Sequence, residues 1–206
     1  MDIDFTRVLV VFAVLLVSLT FHEAAHAWSA NRLGDPTARG LGRLSLNPLV
    51  HIDPIGTVAF PLIAMITNLP IIGWAKPVPV DPRHLHPHWK QKYMVIAAAG
   101  PASNLVLAVI SALAVRFLGF ESSGSLIFQF LLLMVVINVL LAVFNMLPIP
   151  PLDGGNVLAG LLPGRASDVF DRLRPFGFLI LYALLLTGVF TRYVLPVQEA
   201  VVDWLL

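Results

Sequence analysis

From Leu126 to Leu152 no residue carries a charge, and the same holds from Ile55 to Ala75 and from Tyr93 to Val115. A helix that crosses a bilayer needs about 20 mostly apolar residues, because lipid offers the backbone no hydrogen-bond partner. Five stretches approach or reach that length: Val8–Phe21 running on towards Leu33, Ile55–Ala75, Tyr93–Leu118, Leu126–Leu147 and Phe176–Val194. Composition agrees, with 58% hydrophobic and only 12% charged residues, against about 25% charged in a soluble domain. The 13 basic and 12 acidic residues nearly cancel, so no overall field draws polyanions and nucleic acid is not an expected partner. The absence of cysteine excludes a disulfide framework, a thiolate zinc site and a cysteine nucleophile. The expectation is an all-α membrane protein, residues 1–206 forming one polytopic unit embedded in the lipid bilayer.

The second stretch differs from the rest, since Ile55–Ala75 contains Pro61, Asn68, Pro70 and Gly73, which disfavour an uninterrupted helix. Basic residues bear on whether it crosses, because Lys and Arg in short loops favour the cytoplasm. If all five stretches cross, the basic residues divide eight to five between the two sides. If the second enters and returns, they divide ten to three, with only Arg7, Arg116 and Arg192 on the minority side. The pattern therefore predicts about four transmembrane helices plus a membrane-dipping hairpin, with Arg32–Lys92 and Arg165–Arg174 facing the cytoplasm and both termini outside. Short cytoplasmic strands are expected within Gly40–Pro54 and Gly73–Val80.

Ionisable groups inside a membrane helix cost several kcal/mol and are functional hypotheses by default. The first span holds three of them in the pattern H-E-x-x-H: His22, Glu23 and His26. A spacing of four residues turns a helix by about 400° and raises it by about 6 Å, placing both imidazoles on one face. Two ring nitrogens can then converge on one Zn²⁺, while Glu23 can act as general base towards water at the metal. The bland alternative is two buried histidines and a glutamate bonded to neighbouring helices, but an apolar span has no reason to tolerate three such groups unless something compensates them. A catalytic zinc needs a third protein ligand, and Asp153 in P-P-L-D-G-G is the candidate, where three prolines break the fourth span. It is expected at the head of a short helix, Asn156–Leu162. The alternative for Asp153 is an N-cap role alone.

The segments FHEAAH (Phe21–His26), AAGPASN (Ala98–Asn104) and NMLPIPPLDGG (Asn145–Gly155) occur in that order and resemble the motifs of the site-2 protease family of intramembrane zinc metalloproteases. NPLVHIDPIGT and IGWAKPVPV look like the small subgroup that lacks an inserted peptide-binding or regulatory domain. The resemblance implies His22, His26 and Asp153 as ligands of one Zn²⁺, Glu23 as base and Asn145 as a substrate contact. It also implies a catalytic core over about 8–162, a C-terminal span over about 176–194 and an active site towards the cytoplasmic side. Asn104 is a second expected contact to the substrate backbone or the developing oxyanion.

The expected reaction is hydrolysis of a peptide bond within or near a transmembrane segment of a substrate protein. The competing reading is a membrane zinc transporter in which the same four residues form a transit site. His51 is placed near the site by its HIDP segment, with loop packing an equal alternative. His84, His86 and His88 alternate as a second metal site would require, although a solvated loop is the favoured reading.

Overall fold

The computed structural model describes residues 5–67, 74–117 and 125–206. Its helices are α1 (Phe5–Arg32), α2 (Thr37–Gly40), α3 (Phe60–Thr67), α4 (Trp89–Phe117), α5 (Leu126–Asn145), α6 (Asp153–Leu161), α7 (Gly164–Asp171), α8 (Gly177–Leu186) and α9 (Leu195–Leu205). Among the described residues α1, α4 and α5 are each long and apolar enough to cross a membrane, and a bent pair around α8 and α9 makes a fourth candidate when taken as one span. The bend is 75°, and Gly188 lies within it at a left-handed φ of +73°, which glycine adopts without the steric penalty of a Cβ. The apolar C-terminal pair continues past Val194 to Leu205. It begins with Gly177 against the Pro150–Pro151 backbone and ends where Arg116 Nε donates to the Leu206 carbonyl, 3.4 Å away. It thus runs the length of the bundle.

The bundle closes by pairing small with branched side chains, as helices packed in lipid do. Ala108 and Ala112 of α4 meet Val135 and Val139 of α5, and Val201, Val202 and Leu205 of α9 cover that seam. Polar groups join α4 and α5 to α1. Asn138 Nδ2 donates to the Met134 carbonyl (2.8 Å) and to Ser18 Oγ (2.9 Å), while Asn104 Nδ2 donates to Asn138 Oδ1 (2.8 Å). An interhelical hydrogen bond is the expected use of an asparagine at that depth.

The proline-containing stretch turns back. Asp53 caps a wide helical turn, Pro54–Ala59, accepting the N–H groups of Ile55 and Gly56 at 3.0 and 2.7 Å. The turn leads into α3, which at eight residues is about 12 Å long, far short of the roughly 30 Å hydrocarbon core. By Trp74 the chain is back at its starting point: Trp74 N–H donates to the Gly56 carbonyl (3.1 Å) and Thr57 Oγ1 to the Trp74 carbonyl (2.8 Å). Gly56 is required there, because a Cβ would enter the Trp74 indole. Asn68, Pro70 and Gly73 lie outside the described residues.

No strand occurs among the described residues, so the expected short strands are absent from Gly40–Pro54 and from 74–80. The sequence Lys76-Pro77-Val78-Pro79-Val80 explains the second case, since its prolines have no N–H to contribute to a ladder. Instead this segment is a strap tied to its surroundings. Lys76 N–H donates to the His51 carbonyl at 2.9 Å, and Asp81 N–H to Asp35 Oδ2 at 2.7 Å. Asp35 also accepts from Thr37 and His84. Burial opposes ionisation of Asp35, but these bonds outweigh it and hold the carboxyl below its ordinary pKa. At the same end of the bundle, Lys90 bridges to Asp168 (3.1 Å) and Asp171 (3.3 Å) of α7.

Candidate metal centre

α1 carries His22, Glu23 and His26, all buried. Asp153 is the first residue of α6, with Leu152 and not Asp153 at the N-cap. The helix thus begins three residues before the expected Asn156. Two glycines permit its approach. A Cβ on Gly154 would strike the Met146 and Leu147 carbonyl oxygens, and one on Gly155 would crowd the Ile149–Pro150 backbone. The proline-rich connection can therefore fold against the first turn of α6 and direct Asp153 inward.

The three side chains meet. His22 Nε2 and His26 Nε2 are 3.0 Å apart, and Asp153 Oδ2 lies 3.1 Å from the first and 3.3 Å from the second. Three ligands of a tetrahedral zinc, each about 2.0–2.2 Å from the ion, are about 3.3–3.5 Å apart. The observed triangle fits that ion within a few tenths of an ångström. Among the described residues no other histidine–carboxylate group gathers its donor atoms in this way.

Hydrogen bonds behind the rings determine which nitrogens face the centre. His26 Nδ1 donates to the Ile96 carbonyl at 2.7 Å. His22 Nδ1 faces Asn104 Oδ1 at 2.6 Å, and a chain of donors fixes the direction of that bond. Asn138 Nδ2 is committed to the Met134 carbonyl, so its Oδ1 accepts from Asn104 Nδ2, which also reaches the Ser18 carbonyl at 3.3 Å. Asn104 Oδ1 is left to accept, and His22 Nδ1 carries the proton. With both Nδ1 atoms engaged behind the rings, both Nε2 atoms turn to one another and to Asp153 Oδ2, an atom buried without a hydrogen-bond donor of its own. Three such atoms converging on one point suit a cation, and imidazole oriented through its other nitrogen is the usual arrangement in zinc sites.

Gly100 on α4 makes the space. A Cβ there would lie 2.6 Å from His26 Cε1 and 2.7 Å from His22 Cε1 and would overlap His26 Nε2. Glu23 is outside the triangle, with its Oε2 accepting the Val78 N–H of the strap at 3.0 Å. Residues 10–123 and 120–188 match the profile of peptidase family M50. The chain belongs to that family.

The M50 relatives carry zinc-metalloprotease names. YwhC of Bacillus subtilis is 35% identical over 90% of this chain and 84% of its own length. Rip2 of Mycolicibacterium smegmatis is 33% identical over 90% of this chain and 70% of its own. MJ0392 of Methanocaldococcus jannaschii is 24% identical, covering 74% of this chain and 34% of the relative. No solved structure matches. M50 is the site-2 protease family expected from the motifs, and the chain is an integral multi-pass membrane protein and an intramembrane zinc metalloprotease acting on proteins. Nothing in the M50 comparisons favours a transporter.

The remaining candidates are dispersed. Asn145 ends α5, and one of its amide hydrogens bonds the Leu141 carbonyl at 3.0 Å. Asn104 is wholly buried with both ends of its amide engaged inside the bundle. His51 packs in the loop, its Nε2 at 2.8 Å from the Ser45 carbonyl. His84 turns to Asp35, and His84, His86 and His88 do not form a metal-ligating group. Arg43 was missed by motif reasoning. It is buried, and its Nη2 donates to the carbonyls of Lys76 and Pro77, a contact across the loops that no sequence periodicity announces.

Proposed function

We propose that His22, His26 and Asp153 hold a single Zn²⁺ and that Glu23 is the general base for peptide hydrolysis beside it. The observation that carries this reading is the convergence of Nε2, Nε2 and Oδ2 within 3.3 Å, with both protonated Nδ1 atoms turned away. Bound zinc supplies a Lewis acid that polarises the scissile carbonyl and makes water nucleophilic near neutral pH. Glu23, with one oxygen on the Val78 N–H, has the other free to take a proton from the attacking water and pass it to the departing amide nitrogen. Asn145 is the substrate contact, since its side-chain carbonyl and second amide hydrogen remain available beside the turn that carries Asp153. Asn104 is better read as a positioning residue that fixes the His22 ring than as a substrate contact. A substrate helix has its carbonyls occupied by its own hydrogen bonds, so the scissile segment unwinds before it is attacked.

The proposal is tested by metal analysis and by cleavage of a single-span peptide. Asp153→Ala should lose zinc and turnover together. Asn104→Ala should weaken zinc binding by about 10–100-fold, the usual effect of removing a group that orients a ligand. Wild-type zinc affinity with a raised KM would return Asn104 to the substrate side.

The active site is proposed to face the cytoplasm. The hairpin return at Trp74 and the Lys90–α7 bridges support the ten-to-three distribution of basic residues. A reporter active only in the cytoplasm and inserted beside Arg83 should be active; a periplasmic-type signal there would reverse the assignment.

A further inference from the structure

We propose that Arg43 is a positioning residue for Glu23, acting through the backbone of the strap that crosses the active site. This rests on the reading of Glu23 as the base. Arg43 is only 5% exposed, and a buried guanidinium is costly unless its hydrogens have specific work. Its Nη2 clamps two successive carbonyls, those of Lys76 and Pro77. The next residue is Val78, whose N–H donates to Glu23 Oε2 at 3.0 Å.

The strap sequence makes that donor singular. Pro77 and Pro79 have no N–H, and each biases the residue before it towards extended backbone. Between Lys76 and Val80 only Val78 can donate. Lys76 N–H is committed to the His51 carbonyl, and beyond Val80 Asp81 N–H is committed to Asp35. The strap is thus tied to loops on both sides, and Arg43 holds the Pro77–Val78 peptide unit that carries the donor and the unit before it. One carboxylate oxygen of Glu23 is fixed and the other is left for chemistry. Without the clamp the strap loses its register over α1, Val78 N–H leaves the carboxylate, and Glu23 samples rotamers that do not reach the attacking water.

The experiment uses the zinc-loaded full chain in detergent micelles. Amide exchange at Val78, isolated by the neighbouring prolines, is read by mass spectrometry. Turnover is read on a quenched-fluorescence peptide carrying one apolar span with a central Asn-Gly-Pro break. Arg43→Gln should accelerate exchange at Val78 and lower kcat by about 10–100-fold, as loss of a supporting hydrogen bond does. KM and zinc content should stay at wild-type values, and Arg43→Lys should recover part of kcat. Val78→Pro deletes the donor without touching Arg43 and should give the same loss, so the double variant should be no worse than either single one.

Unchanged exchange at Val78 in Arg43→Gln, wild-type kcat, or additive losses in the double variant would each overturn the proposal. Full activity in Glu23→Gln overturns the reading of the base instead, whatever Arg43 does. Loss of zinc from Arg43→Gln would show a role in building the metal centre and would likewise overturn it.

Discussion

Glu23→Gln should keep its zinc and lose about 10²–10⁴-fold in turnover, the range that a positioned general base contributes. The substitution is nearly isosteric and leaves the ligand atoms of His22, His26 and Asp153 in place. The glutamine side-chain oxygen can still accept the Val78 N–H as Glu23 Oε2 does, so the strap has no reason to move. What disappears is the second carboxylate oxygen as a proton acceptor. Zinc content by atomic absorption and kcat on the single-span peptide are the two measurements, and they should separate cleanly. Substantial residual turnover with full zinc occupancy would assign the base elsewhere. Loss of zinc would instead make Glu23 a structural support of the centre.

That separation reflects how the site is distributed along the chain. His22, Glu23 and His26 lie within one helical turn, so their relation follows from α-helical geometry and is legible without any tertiary information. Asp153 was legible for a different reason: uncharged sequence on both sides and a bracket of prolines and glycines isolate it. The role of Asn104 was not, because its residue type allows either a substrate or a structural partner. Only the rotation of α4 against α1 aims its carbonyl at His22 Nδ1. The strap shows the opposite error. Alternating Val and Pro at 77–80 matches the period of a strand, yet the missing proline donors leave Val78 N–H to a side chain instead of a ladder. The apolar stretch expected over 176–194 is followed by α9, whose Glu199 and Asp203 broke the apolar run in the sequence, while Gln198 is buried and Val201, Val202 and Leu205 pack on the bundle.

Gly100→Ala should be nearly as damaging as removing a ligand, although it adds a single methyl group that takes no part in chemistry. The new Cβ would sit 2.6 Å from His26 Cε1 and 2.7 Å from His22 Cε1, well inside van der Waals contact. The rings cannot simply rotate away, because His22 is held from behind by Asn104 and His26 by the Ile96 carbonyl. Relief has to come from widening the α1–α4 contact or breaking one of those bonds, and either opens a triangle whose edges are 3.0–3.3 Å. Overpacking of this kind costs about 1–3 kcal/mol of stability. Disturbing the orientation of two ligands should weaken zinc by more than the roughly 10–100-fold lost with one orienting group. Competition with a chelator measures the affinity, and thermal unfolding measures the strain. Gly164→Ala is the matched control, since a Cβ at the start of α7 meets nothing within 4 Å. If Gly100→Ala binds zinc as tightly as that control, the histidines are not seated against α4 as described. The hydrogen-bonded orientation of both rings, and the convergence of acceptors that depends on it, would then have to be abandoned.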